Sequence, residues 1–213
     1  MKKILTSVLA ASLMLLGTSA FAQLSVNAGY SSSKLTIDNA NKTSATDNGF
    51  YAGLEYNVPV GDILGFSLGA NVEYLLSKNY SLFGVKGNFN ETYLNVPAHL
   101  NFGFNASDGI RVFAFAGPTF SYALSGKAES STLGTMVNVY EENPYFKILG
   151  WPPFNRLDVL VGVGAGLQLM DKVRLTVSYD QGMFNKFSND SEGNESSNKL
   201  TRSVLHAGIA FLF

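Results

Sequence analysis

Residues 156–170 read RLDVLVGVGAGLQLM. Leu157, Val159, Val161, Val163, Ala165, Leu167 and Leu169 fall on one alternate set, and Asp158, Leu160, Gly162, Gly164, Gly166 and Gln168 fall on the other. A period of two residues belongs to a β-strand, whose successive side chains leave opposite faces. The run is about twice the five or six residues usual for a globular strand. Its glycines resemble a phosphate loop only superficially. The alternation continues through Leu169, and Asp171 and Lys172 open a turn where a dinucleotide fold requires a helix.

The same period recurs along the chain. Leu24 to Tyr30, Phe50 to Val58, Leu64 to Tyr74, Leu94 to Phe102 and Val173 to Tyr179 each alternate apolar with small or polar residues. Between Ile110 and Tyr122 both phases carry apolar side chains; Arg111, Phe113, Phe115, Gly117, Thr119 and Ser121 are assigned to the inner face. The C-terminal stretch SVLHAGIAFLF places Leu205, Ala207, Ile209, Phe211 and Phe213 on one side. With 157–169 this predicts eight strands.

Connection lengths separate a soluble sandwich from a membrane barrel. PVGDI, NASDG and DK join three strand pairs, whereas 31–48, 77–91, 126–155 and 185–198 are long. Strict alternation of short and long connections is the pattern of an up-and-down barrel with periplasmic turns and extracellular loops. Tyr30, Phe50, Tyr74, Phe120, Tyr122 and Tyr179 fall toward the long-loop ends. Tyr56, Phe66, Phe102, Phe104, Phe211 and Phe213 fall toward the short-turn ends. Two aromatic girdles are what the two bilayer interfaces select.

The N-terminus agrees with export. Residues 1–22 begin with Lys2 and Lys3, continue through an apolar run, and end Ala20-Phe21-Ala22. This predicts a signal peptide over 1–22 and a single barrel domain over 23–213. The chain has no cysteine, hence neither a disulfide nor a lipid-attachment thiol. A net charge of −1 argues against a nucleic-acid partner. No cofactor or metal set is visible, and no catalytic residue is assigned. The expected partners are outer-membrane lipids and, during biogenesis, the outer-membrane assembly machinery.

The stretches ETYLNVPAHLNF, FAGPTFSYAL, LDVLVGVGAGLQLMDKVRLTVSYDQGMFN and HAGIAFLF resemble the small outer-membrane β-barrel (porin-like) proteins common in Bacteroidota. The resemblance implies an all-β, eight-stranded antiparallel barrel in the bacterial outer membrane. It also implies that the terminal strand, with Phe211 and Phe213, carries an assembly signal. It supplies no catalytic motif.

An eight-stranded barrel is just wide enough to be filled by its inward side chains. Those of Glu55, Glu73, Arg111, Asp158, Arg174, Asp180 and Arg202 are assigned inward, with Glu55, Arg111 and Arg174 low. Unpaired charges in such a place are costly, so the expectation is a charge-paired interior that fills the bore. The alternatives are a narrow channel gated by the same residues and a barrel enzyme acting on outer-membrane lipid. His99 and His206 are also inward and at middle height, with no visible partner pattern. The segment 126–155 is rich in aromatics: Tyr140, Tyr145, Phe146, Trp151 and Phe154. They either pack on each other above the bilayer or form a surface for an extracellular ligand or partner.

Overall fold

The computed structural model describes residues 23–38, 43–82, 85–130, 135–141, 153–187 and 199–213. These form strands β1 (Gln23–Asp38), β2 (Thr43–Val60), β3 (Leu64–Leu82), β4 (Val85–Ser107), β5 (Ile110–Ser130), β6 (Thr135–Asn138), β7 (Leu157–Leu169), β8 (Val173–Gly182) and β9 (Lys199–Leu212). All pairings are antiparallel. Eight strands close a ring in chain order, with β1 meeting β9 from Ser25↔Leu212 to Asp38↔Lys199. The short β6 pairs with the far end of β5. Closure leaves the ring without a free edge, which hydrocarbon demands because it cannot satisfy bare N–H and C=O groups.

The short connections are tight. Gly61 and Gly109 take φ of 72° and 74°, a region open to glycine at no steric cost. Between β7 and β8, Met170 and Asp171 both have positive φ (50° and 54°), and the Lys172 N–H donates to the Leu169 carbonyl at 3.0 Å. Positive φ at both central residues is the turn form whose twist matches antiparallel strands.

Outward side chains are apolar and exposed across the middle of the barrel, as at Leu54 (51%), Val163 (61%) and Val177 (55%). An uninterrupted belt of this kind is a lipid-facing surface. Strand β5 has the inner phase expected of it. Phe113, Thr119 and Ser121 are buried, while Phe120 and Tyr122 are exposed.

The strands run further than their apolar patterns suggested. Most of 31–48 and 77–91 is strand rather than loop, with β1 reaching Asp38 and β3 reaching Leu82. The 23 residues of β4, at about 3.3 Å each and tilted about 40°, span roughly twice the ~25 Å apolar band. The cause is a change of solvent. In β1 the outward series Leu24, Val26, Tyr30 gives way to Lys34 and Asp38. The inward series Ser25, Ser31, Ser33 gives way to Leu35 and Ile37. Above the bilayer the outside is wet and the inside dry, so the hydrophobic set changes faces while the period continues.

Candidate functional site: the lumen and its extracellular cap

The lumen carries two charged tiers. In the lower one, Arg174 on β8 donates from Nη1 to Glu55 Oε1 (3.2 Å) and Asn57 Oδ1 (2.5 Å), and from Nη2 to Gln168 Oε1 (2.9 Å). Its guanidinium lies 4.9 Å from the Phe113 ring centre. Arg111 donates to the Gly103 carbonyl at 3.4 Å. A Cβ at Gly103 would meet the Phe113 Cβ at 2.7 Å and the Val112 carbonyl at 2.8 Å, so the close approach of β5 requires a glycine here.

The upper tier centres on Glu73, which is fully buried. Arg202 Nη2 donates to Glu73 Oε2 at 2.5 Å, and its Nε and Nη1 donate to Ser33 and Ser121. Asn95 donates to Glu73 Oε2 at 3.1 Å and accepts from Ser121 at 2.6 Å. His206 sits between two carboxylates, with Nε2 3.2 Å from Glu73 Oε1 and Nδ1 3.2 Å from Asp180 Oδ2. The Tyr51 ring meets the imidazole edge-on at 5.2 Å. A Cβ at Gly208 would collide with the Tyr51 hydroxyl, which explains a small residue opposite the tyrosine.

All seven charged residues assigned inward project into the barrel, but they do not form one cluster. The structure brings together Glu55 with Arg174, and Glu73 with Arg202 and, through His206, with Asp180. Asp158 is buried under the start of the β8–β9 connection, beside Gly182. Arg111 stands apart near the periplasmic mouth. The histidines differ in company. His99 packs against Phe115 at 5.1 Å, while His206 has two acids. Sequence reading placed His206 inward but missed its partners, because Glu73 lies 133 residues away.

Above the upper tier the interior turns apolar. Leu35, Ile37, Leu75, Phe89, Tyr93, Ala123, Val139, Tyr140, Phe154, Phe187 and Leu200 form a buried cluster. Within it lies a polar knot that the sequence did not disclose. Lys186 is 1% exposed; its Nζ donates to the Tyr93 hydroxyl at 2.7 Å and lies over the Tyr93 ring at 4.6 Å. The Tyr140 hydroxyl donates to Glu91 and lies 3.0 Å from that of Tyr93. Burial lowers the Lys186 pKa and raises that of Tyr140. Asp47, 1% exposed beside Ser77, has its pKa raised from 3.8 to about 7, by burial first and by Glu91 second.

Of the aromatics singled out in 126–155, Tyr140 and Phe154 are buried in this cluster, with rings 6.1 Å apart. Phe154 also pairs with Phe187 across an isolated bridge. Tyr145, Phe146 and Trp151 lie outside the described residues. At the other end of the barrel Phe211 (52%) and Phe213 (79%) face outward. The Phe213 N–H donates to the Leu24 carbonyl at 2.9 Å, fastening the end of the chain to β1.

Two cavities abut in the lumen below the cap. One of about 90 Å³ is lined by Tyr51, Asn95, His99, Asp180 and His206, among others. One of about 310 Å³ at the short-turn mouth is lined by Gln23, Pro59, Phe66, Arg111, Asp171 and others. Asn101, Phe113 and Arg174 border both. The lumen is therefore polar and partly hollow below, and packed above, where an apolar cluster encloses the Lys186 knot.

A closed antiparallel barrel with an apolar belt, polar lumen and aromatic rims is an integral protein of the bacterial outer membrane. The chain belongs to the outer membrane protein beta-barrel domain family, whose profile matches residues 17–188. No curated protein matches it in sequence. Among solved structures it is similar to Ail, the attachment invasion locus protein of Yersinia pestis (15% identity, 90% of this chain and 99% of that one, TM-score 0.47). It is also similar to Neisserial surface protein A (14%, 89% and 97%, 0.48) and to the outer membrane enzyme PagL (12%, 90% and 98%, 0.44).

Proposed function

We propose that the mature protein, residues 23–213 after removal of a leader, is a barrel closed to through-flow that acts at the cell surface through its extracellular rim. The observation that carries this reading is the change in the lumen from charged tiers to a packed apolar cap. A solute entering from the short-turn mouth meets Arg174, then Glu73 and Arg202, and then buried Tyr93, Leu75 and Leu200. Desolvating an ion against that last layer costs far more than passing a hydrated pore. The extracellular partner would engage residues of 126–155 other than Tyr140 and Phe154, whose rings are committed to the cap. Phe211 and Phe213 supply the signal for assembly into the membrane.

Planar-bilayer recording of the reconstituted protein tests the closure: little or no steady conductance is expected, and large stable channels would overturn it. The narrow-channel reading draws on the two lower cavities, the enzyme reading on His206 between Asp180 and Glu73. For the latter, lipid masses are compared between wild type and the His99→Ala and His206→Ala variants. A product lost in either variant would establish catalysis.

A further inference from the structure

We propose that the short-turn mouth of the barrel binds a small organic carboxylate from the periplasm, with Arg111 as its anchor. The inference is independent of whether the lumen conducts. It starts from an imbalance in how the two arginines are satisfied. Arg174 is engaged on both terminal nitrogens by Glu55, Asn57 and Gln168, and its Nε is buried away from the cavity surface. The one side-chain contact seen for Arg111 is a long hydrogen bond, 3.4 Å, to the Gly103 carbonyl. Among the described residues no carboxylate lies within ion-pairing reach of Arg111. Both arginines line the same cavity of about 310 Å³.

The ligand class follows from the wall. A guanidinium presents planar paired donors that match a carboxylate in geometry and charge. Asp171 shares the wall and keeps its negative charge there, its Oδ1 accepting from the neutral Gln168 amide at 3.1 Å. Glu55, next door, is spent on Arg174. Arg111 and Arg174 set against Glu55 and Asp171 leave the wall's side chains balanced in charge, which disfavours a phosphate dianion. Cleavage after Ala22, expected from the leader, would add the α-ammonium of Gln23 to the same wall, giving it one cationic charge in excess for a monoanion. Phe113, buried on the inner face, and Pro59, in the inward phase of β2, give the cavity an apolar flank for a short hydrocarbon tail. The volume is near the lower limit for small-molecule sites and has room for about ten waters or a comparably small ligand.

The test uses the full mature chain folded in a non-ionic detergent with arginine side chains labelled for NMR. Sodium butanoate should shift the Arg111 Nε resonance saturably, with acetate weaker and butylammonium without effect. Arg111→Gln should weaken butanoate binding at least tenfold, whereas Arg156→Gln on the extracellular side should leave it unchanged. An unsaturable response, the same shift with chloride at equal concentration, or full binding by a folded Arg111→Gln variant would overturn the site. Should Arg111→Gln fail to fold, the wild-type comparison of butanoate, chloride and butylammonium decides alone.

Discussion

The guanidinium of Arg202 on β9 crosses to the carboxylate of Glu73 on β3, 2.5 Å from Nη2 to Oε2, with both side chains at most 1% exposed. The pair joins opposite sides of the barrel wall at the level where the polar lumen meets the cap. Desolvation makes such a pair expensive to bury, so its two halves depend on each other. Glu73→Gln should therefore destabilise the folded barrel by about 3–5 kcal/mol, by leaving a buried cation uncompensated. Removing both charges in Glu73→Leu/Arg202→Leu should cost less than the sum of the single changes. Urea titration of refolding in liposomes measures both. Additive losses would show that the two residues do not act as a pair.

Ala165 and Gly164 are neighbours in β7 with opposite surroundings. Ala165 is exposed between Ala114 and Val177, mid-strand on the lipid face. Arginine there should cost roughly 2–4 kcal/mol, the penalty for a cation near the bilayer midplane. Gly164 faces inward, and a Cβ there would run into the Phe115 ring. Gly164→Leu should destabilise by overpacking, about 1–3 kcal/mol, with no dependence on bilayer thickness. The same titration in thin and thick bilayers separates a solvation penalty from a packing one.

Phe213 is 79% exposed at the short-turn rim. A lysine there should change stability by only about 0–1 kcal/mol, since interfacial charges are tolerated. If the terminal aromatic is read during assembly, Phe213→Lys should lower the amount inserted in cells while leaving the purified barrel's denaturation midpoint in place. A large fall in that midpoint would assign the residue a packing role instead.

Asp47 gives the cap a pH dependence of definite sign. Its folded pKa is about 7 against an ordinary 3.8, so between those values the folded chain keeps a proton that the unfolded chain has released. Its contribution to stability is full below about pH 4 and is lost as pH rises through 7. Glu91 reinforces the shift, while Ser77 and Arg202 oppose it without cancelling it. Asp47→Asn should flatten the decline in stability between pH 5 and 8. The difference between the two proteins' denaturation midpoints across that range isolates the group. An identical slope in both would assign the pH dependence elsewhere.

The Tyr140 hydroxyl serves Glu91 and touches Tyr93. Tyr140→Phe keeps the ring against Phe154 but leaves a buried carboxylate oxygen unpaired. A loss of about 1–3 kcal/mol is expected on denaturant titration. Because the ring stays, conductance in planar bilayers should not rise. Tyr140→Ala, which removes it, tests whether the cap is the seal.

The sequence by itself determined the barrel. Period-two patterning through 157–169 and 205–213, together with alternating short and long connections, leaves little else that could satisfy every backbone group in lipid. It also determined which side chains point inward, since a strand's two faces follow from parity alone. Glu55, Arg174, Glu73 and Arg202 were all legible in that sense. Their pairing was not. Closing the ring sets heights and rotamers across the bore, and only that closure puts His206 between Asp180 and Glu73 while leaving Arg111 with no acid in ion-pairing reach among the described residues. The cap was hidden for a different reason. Leu35 and Ile37 sit in the phase that reads as polar lower down β1, because parity tells inside from outside but not where water replaces lipid. That boundary, and the Lys186 knot above it, comes from segments far apart in sequence meeting over the mouth, which no local pattern encodes.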